Sequence, residues 1–389
     1  MEIDMRFINS NAANVMRMPL CSRPLGVLVL LSLVLVLLGF VSCSHDLGPN
    51  NSLDDWRISS PETQNINADT LANLAGRIEA GVYGEIHSLL LVRHGYLVYE
   101  RYFRGYRIDR IHPVYSVTKS VTSLLIGIAS DRGELGALSQ SLLSCFPEYR
   151  SIANVDARKQ AITLKEVLTM RAGFDWNEGI VPYGDPRNPT SQLAGSSDWI
   201  KFMLDRPMSD APGTRFRYNS GCSVLLSGII RNKTGKQAQE YAVAHLFRPL
   251  AITSFDWERG AQGIANTGWG LSLRPRDMAK IGLLCLQQGE YNGTRVLSQQ
   301  WLNESTTNHV SLSNSFSYGY QWWLLPLEGM AGHAPQPNDL KIAWGWGDQF
   351  IFIIPHLDLV VISTAGNYSG PIQDQAIDFV RRSIVKAVL

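Results

Sequence analysis

Cysteine is scarce in this 389-residue chain, and the five that occur are scattered. Cys21 and Cys43 lie in or beside an apolar N-terminal run, which leaves Cys145, Cys222 and Cys285 widely spaced. With no C-x-x-C pair, nothing points to a disulfide framework or a cysteine-held metal. Eight histidines are present, and none stands three or four residues from another. No H-E-x-x-H occurs, so metal-assisted hydrolysis has no support in the pattern. An excess of one charge sign is lacking as well. Residues 1–43 hold three basic and two acidic side chains; without them the 35 basic and 34 acidic groups of the chain become 32 of each. A neutral body without a Lys/Arg run offers nothing electrostatic to nucleic acid. The G-x-S-x-G of elbow-type hydrolases is absent too, and no internal repeat or low-complexity block stands out.

What is present begins with "RPLGVLVLLSLVLVLLGFVSC". Arg23 precedes seventeen apolar or small residues, Leu25 to Val41, and Ser42-Cys43 follows. The run is long for a signal-peptide core and short for a spanning helix. Its ending resembles a bacterial lipobox, in which a small residue precedes the cysteine that receives lipid, although Phe40 stands where leucine is usual. The expectation is an export signal over 1–43, with lipid on Cys43 anchoring the body to a membrane. An uncleaved signal anchor is the alternative. A polar linker is expected over 44–65.

Periodicity organises the rest. "NADTLANLAGRIEAGVY" places Leu71, Leu74, Ile78 and Val82 on one helical face,. "IHSLLLVRHGYLVYERYF" reads as two strands joined by a tight His94-Gly95 turn. Near the other end, "DQFIFIIPHLDLVVISTAGN" reads as a second strand pair, followed by a closing helix. Between them lie helical stretches and Gly/Pro turns. The economical fold is α/β in the α+β sense: an antiparallel sheet from 66–111 and 311–389, flanked by helices, with a mainly helical part inserted over 112–310.

Three stretches carry candidate chemistry. In "YSVTKSVTSLLIGIASDRG", Val117, Val121, Leu124, Leu125, Ile128 and Ala129 point inward, and the remainder offers little wet face. Such a helix is buried, and lysine is rarely buried without a partner. Lys119 is therefore either the exposed first turn of a core helix or a lysine held at a site, three residues from Ser116. The same spacing recurs in "SIVK", Ser383 to Lys386, but there it ends a helix, where a basic residue suits the dipole. The second stretch is Tyr218-Asn219-Ser220-Gly221, ahead of an apolar helix expected from about Val224 to Ile230. The third is "KIAWGWGDQFIFIIP", where Gly345 and Gly347 flank Trp346 as a strand begins; glycine there marks close backbone approach.

Taken in order, S-V-T-K, Y-N-S-G and A-W-G-W-G resemble the three active-site motifs of the serine β-lactamase and penicillin-binding superfamily. The likeness is to its class C branch, and within that to the aminohexanoate-dimer (nylon-oligomer) hydrolase group. It spans about residues 55–380 and implies the β-lactamase-like fold. It also implies acyl transfer through Ser116, with Lys119 and Tyr218 as a proton relay. The chemistry suits the spacing: residues i and i+3 share a helix face, and a serine hydroxyl needs a neighbouring base. The helix N-terminus favours the developing anion and a neutral amine. The resemblance assigns the oxyanion hole to the N–H groups of Ser116 and Trp346, with Gly345 opening the strand edge.

Two departures bear on substrate. Ser220 replaces the usual asparagine and is expected to be a shorter hydrogen-bonding arm. Ala343 replaces the lysine or histidine that grips a substrate carboxylate. Trp176, Trp322, Trp323 and Trp346 are candidates for the mouth. The expected protein is an exported, membrane-tethered serine hydrolase of small esters or amides, needing no cofactor or metal. Its expected partners are a small-molecule substrate and a membrane, not nucleic acid. A β-lactamase or D-Ala peptidase is the alternative enzyme. A non-catalytic lipoprotein that docks cell-wall fragments is the reading from another class.

Overall fold

His94 and Gly95 both adopt positive φ, 50° and 76°, the left-handed pair that a two-residue turn between antiparallel strands requires. Strands Ile86–Arg93 and Tyr96–Tyr102 leave that turn and begin an eight-stranded sheet. The computed structural model describes residues 56–312, 316–327, 333–368 and 374–388. The segment read as an export signal, 1–43 with Cys43, lies outside the described residues.

Across the sheet the order is Tyr96–Tyr102, Ile86–Arg93, Leu359–Ala365, Gln349–Ile354, Leu340–Gly345, Trp323–Leu325, Ser317–Tyr318 and Val310–Ser311. Every neighbouring pair is antiparallel. Both chain ends therefore build one sheet. Its central strands are buried along their whole length, because helices cover both faces. On one face Leu89 and Leu91 share a core with Leu71, Leu74 and Ile78 of helix Ala68–Glu79 and with Phe379 and Ile384 near the C-terminus. On the other lies helix Pro275–Leu286. A Cβ on its Gly282 would come within 2.5 Å of Val360 Cγ1, so glycine lets this helix approach the strands closely.

Three local readings change. Val82 is 50% exposed and off the helix, because the helix is capped at Ala80 and Gly81 turns the chain at φ 78°. The segment read as linker up to residue 65 is attached to the sheet edge from Arg57. Leu97 donates to the Arg57 carbonyl and Ser59 donates to that of Leu97. The inserted part also carries strands: His112–Pro113, Leu271–Leu273 and Phe255–Trp257 form a small sheet of their own.

Candidate active site

Helix Val117–Asp131 is buried without interruption from Val117 to Ala129. It starts from a strained entry, since Tyr115 sits at φ 46°. A bulky residue in that region is an outlier that persists where surrounding structure enforces it, as at active sites. Ser116 takes the N-cap position. A Cβ on Gly345 would lie 2.2 Å from the Val114 carbonyl oxygen, so only glycine lets strand Leu340–Gly345 abut the segment entering Ser116. Trp346, the next residue, meets the Tyr115 ring edge-on at 5.3 Å.

Lys119 is 1% exposed, which makes it the held lysine of the two sequence readings. Its Nζ lies 2.9 Å from Ser116 Oγ, 3.0 Å from Ser220 Oγ and 2.7 Å from the Gly268 carbonyl. Those three acceptors match the three donors of an ammonium. Burial drives the Lys119 pKa down to about 8, with the charge of Glu178 opposing the shift. The ammonium is thus easier to deprotonate than that of a solvated lysine. Tyr218 comes from the turn before helix Ser220–Thr234. Its ring centroid is 4.8 Å from Lys119 Nζ, and Ser116 lies close enough to act on its hydroxyl, opposing the rise that burial imposes on its pKa. Burial raises the Tyr218 pKa, holding the phenol protonated. Serine, lysine and tyrosine therefore meet from two helices.

Ser220 is not the substrate arm expected of it. The helix starts at Ser220 rather than near Val224, because the Asn219 side chain caps it by accepting from Cys222 N–H at 2.9 Å. That draws Ser220 inside the fold. Its hydroxyl accepts from Lys119 and donates to Glu178 Oε1 at 2.8 Å, and its N–H donates to Glu178 Oε2 at 2.7 Å. Glu178 went unnoticed in the sequence, where it reads as an ordinary loop acid. It is buried, and it also accepts from Trp176 Nε1 at 2.7 Å and from the Tyr183 hydroxyl at 2.9 Å. Asn188 pins the loop by donating to the carbonyls of Glu178 and Val181.

The tryptophans divide. Trp176 and Trp322 are core residues, the first turned onto Glu178, so neither lines a mouth. Trp323 stacks on Tyr218 at 5.7 Å. Trp346 sits among Tyr115, Tyr183 and Tyr368, with ring centroids 4.9 to 5.5 Å from its own. Tyr183 is 41% exposed while its hydroxyl points inward, which puts its ring at the rim. Ala343 is buried and paired with Ile351, so position 343 itself carries no cation.

Away from this site, His333, Asp339 and His356 hold donor atoms within 4.8 Å of one another. The two imidazoles are stacked, 4.4 Å apart and 10° from parallel. Ligating lone pairs lie in the ring planes, and near-parallel planes do not converge on one ion. Asp339 Oδ2 already accepts from the N–H groups of Leu327 and Gln336.

Compared with known proteins, residues 75–382 match the Beta-lactamase family. The chain belongs to that family. It is 25% identical over 289 residues to the 6-aminohexanoate-dimer hydrolase of Paenarthrobacter ureafaciens, covering 68% of this chain and 71% of that protein. A Bacillus anthracis structure named for 6-aminohexanoate-dimer hydrolysis superposes with a TM-score of 0.67 at 22% identity, covering 80% of this chain and 81% of the other. EstCE1, a hydrolase with promiscuous acyltransferase activity, gives 0.65 at 16% identity, over 81% of this chain and 98% of its own. This β-lactamase-family protein is a serine hydrolase with the β-lactamase-like fold.

Proposed function

We propose that the protein cleaves small ester or amide bonds through an acyl-enzyme on Ser116. The observation that carries this reading is the fully buried Lys119 amine, 2.9 Å from Ser116 Oγ. In its neutral form the amine takes the serine proton as Oγ attacks the carbonyl. The proton then passes through Tyr218 to the leaving alcohol or amine, and water repeats the sequence in reverse to release the acid. The N–H groups of Ser116 and Trp346 are the proposed oxyanion donors, at the point where Gly345 lets the strand close on the nucleophile. The name of the Paenarthrobacter relative, a 6-aminohexanoate-dimer hydrolase, supports an amide carbonyl within the substrate class.

Ala343 narrows that class. A charge-assisted hydrogen bond to a substrate carboxylate contributes roughly 1.5–3 kcal/mol, or about ten- to a hundred-fold in kcat/KM. Without a cation at 343, neutral short-chain activated esters are the expected good substrates, with amides slower and cephalosporins poor. Ala343→Lys is expected to improve carboxylate-bearing substrates relative to neutral ones. Steady-state kinetics on an ester, an amide and a chromogenic cephalosporin test this. Wild-type cephalosporin turnover above ester turnover in kcat/KM would restore the β-lactamase reading, and no turnover with no covalent labelling would favour a binding lipoprotein.

The proposal includes export and lipid attachment at Cys43, motivated by Phe40-Val41-Ser42-Cys43 after the apolar run. Cys43→Ser is expected to abolish palmitate labelling and leave an unprocessed precursor. A lipid-free mature protein beginning at another residue would refute it.

A further inference from the structure

The buried Glu178 carboxylate lies beyond any role the serine–lysine–tyrosine chemistry requires. An ionised carboxylate offers about four acceptor positions, and Glu178 receives four donors: two from Ser220, one from Trp176 and one from Tyr183. All its capacity is spent inside the protein. The Ser220 hydroxyl has only one proton. It gives that proton to Glu178 and so must present a lone pair to Lys119 Nζ. A single hydroxyl therefore separates a saturated anion from the lysine amine. The orientation of that hydroxyl is set by the carboxylate and not by the lysine.

We propose that Glu178 is a positioning residue of this site: through Ser220 it fixes where Lys119 points, and it places an anion one hydroxyl away from the amine. The proposal rests on Ser116 and Lys119 being the acylating pair. Two opposing influences act on the amine, since burial disfavours the ammonium and the nearby anion favours it. Around Nζ stand Ser116 on its own helix, Ser220 on the facing helix, the Gly268 carbonyl and the Tyr218 ring. Near Glu178 the titratable groups besides Lys119 are Tyr183, Tyr218, Tyr318 and Cys222. Each has its pKa raised by burial and stays neutral over the working range. Glu178 is therefore the charge that holds the lysine's proton affinity up. The ammonium formed during acylation must survive long enough to return its proton to the leaving group. An amine buried beside no anion would take that proton less readily.

The test is the pH dependence of Ser116 phosphonylation by a small fluorophosphonate, in which Oγ gives up its proton as in acylation while attacking phosphorus and displacing fluoride, with the site mapped by mass spectrometry. Either reaction needs the neutral amine, so the rate rises with pH through the Lys119 midpoint. Glu178→Gln removes the charge, and its amide NH2 opposes the two donors that in the wild type meet one of the carboxylate oxygens,. The midpoint is expected to fall by about one pH unit or more. The pH 6 rate, taken relative to the alkaline plateau, then rises about ten-fold for each unit, while the plateau itself drops. Ser220→Ala keeps the charge and removes one acceptor of the ammonium, so it is expected to move the midpoint the same way by less. This second variant decides the matter if the first does not fold. A folded variant labelled at Ser116 with the wild-type midpoint, or a higher one, overturns the proposal. Wild-type protein that is never labelled at Ser116 defeats the nucleophile assignment instead.

Discussion

Replacing Ser116 with alanine is expected to remove both fluorophosphonate labelling and ester turnover, with kcat falling on the order of 10^5-fold or more. That loss corresponds to about 7 kcal/mol of transition-state stabilisation. Among the described residues no other serine hydroxyl beside Lys119 has a proton free for the reaction. Ser220 is the other serine within reach of Lys119, and its proton is committed to Glu178. Ser383, the alternative S-x-x-K serine, belongs to the closing helical segment Val380–Ile384. The substitution should leave the fold intact, because Lys119 keeps the Gly268 carbonyl and Ser220 Oγ as acceptors. The thermal midpoint should therefore stay near the wild-type value while activity disappears. Undiminished labelling of Ser116→Ala, mapped to Ser383 or another residue, would remove the assignment.

The parts of this site that were legible in the sequence are those written in short range. Ser116 and Lys119 stand one helical turn apart on a helix too apolar to be a surface element, and that contradiction is visible in nineteen residues. The sheet was legible for a similar reason, since strand-like runs with a tight turn stand near each end. Glu178 was not. It follows "FDWN" in a loop, and its meaning comes from donors at positions 176, 183 and 220, which only the fold brings together. Ser220 was misread for the same reason: serine at that position looks like a shortened asparagine until its partner is known. Trp176 and Trp322 show the matching limit for aromatics, because an indole at a rim and an indole in a core look alike in sequence.

The cover of the sheet was also hidden. Helix Pro275–Leu286 falls within the inserted part by sequence, yet it packs on the strands. A helix records in its pattern that one face is buried, but not which element buries it. Gly282 carries a trace of the answer, since a Cβ there would strike Val360 and Ile351. The same logic holds at Gly345 beneath the nucleophile, where sequence reading did single out close backbone approach.

Lys119 and Tyr218 are expected to behave as one proton-transfer unit rather than two independent contributors. General acid–base groups contribute typically about 10²–10⁴-fold each, and residues that act together are strongly non-additive. Lys119→Met is the informative lysine variant, because it fills the buried slot with apolar volume and removes only the nitrogen. Tyr218→Phe keeps the stack on Trp323 and removes only the hydroxyl. Each should lower kcat by about 10²–10⁴-fold, and the double variant should be little worse than either. The pH profile supplies the second half of the test. Below a pKa of about 8, Lys119 is mostly ammonium and has no lone pair for the serine proton, so wild-type acylation should climb through that pH and level above it. In Lys119→Met this inflection should vanish, whereas in Tyr218→Phe it should persist, since the lysine still titrates. Losses that multiply in the double variant would assign the two side chains to separate steps, and an inflection surviving in Lys119→Met would transfer the titration to another group.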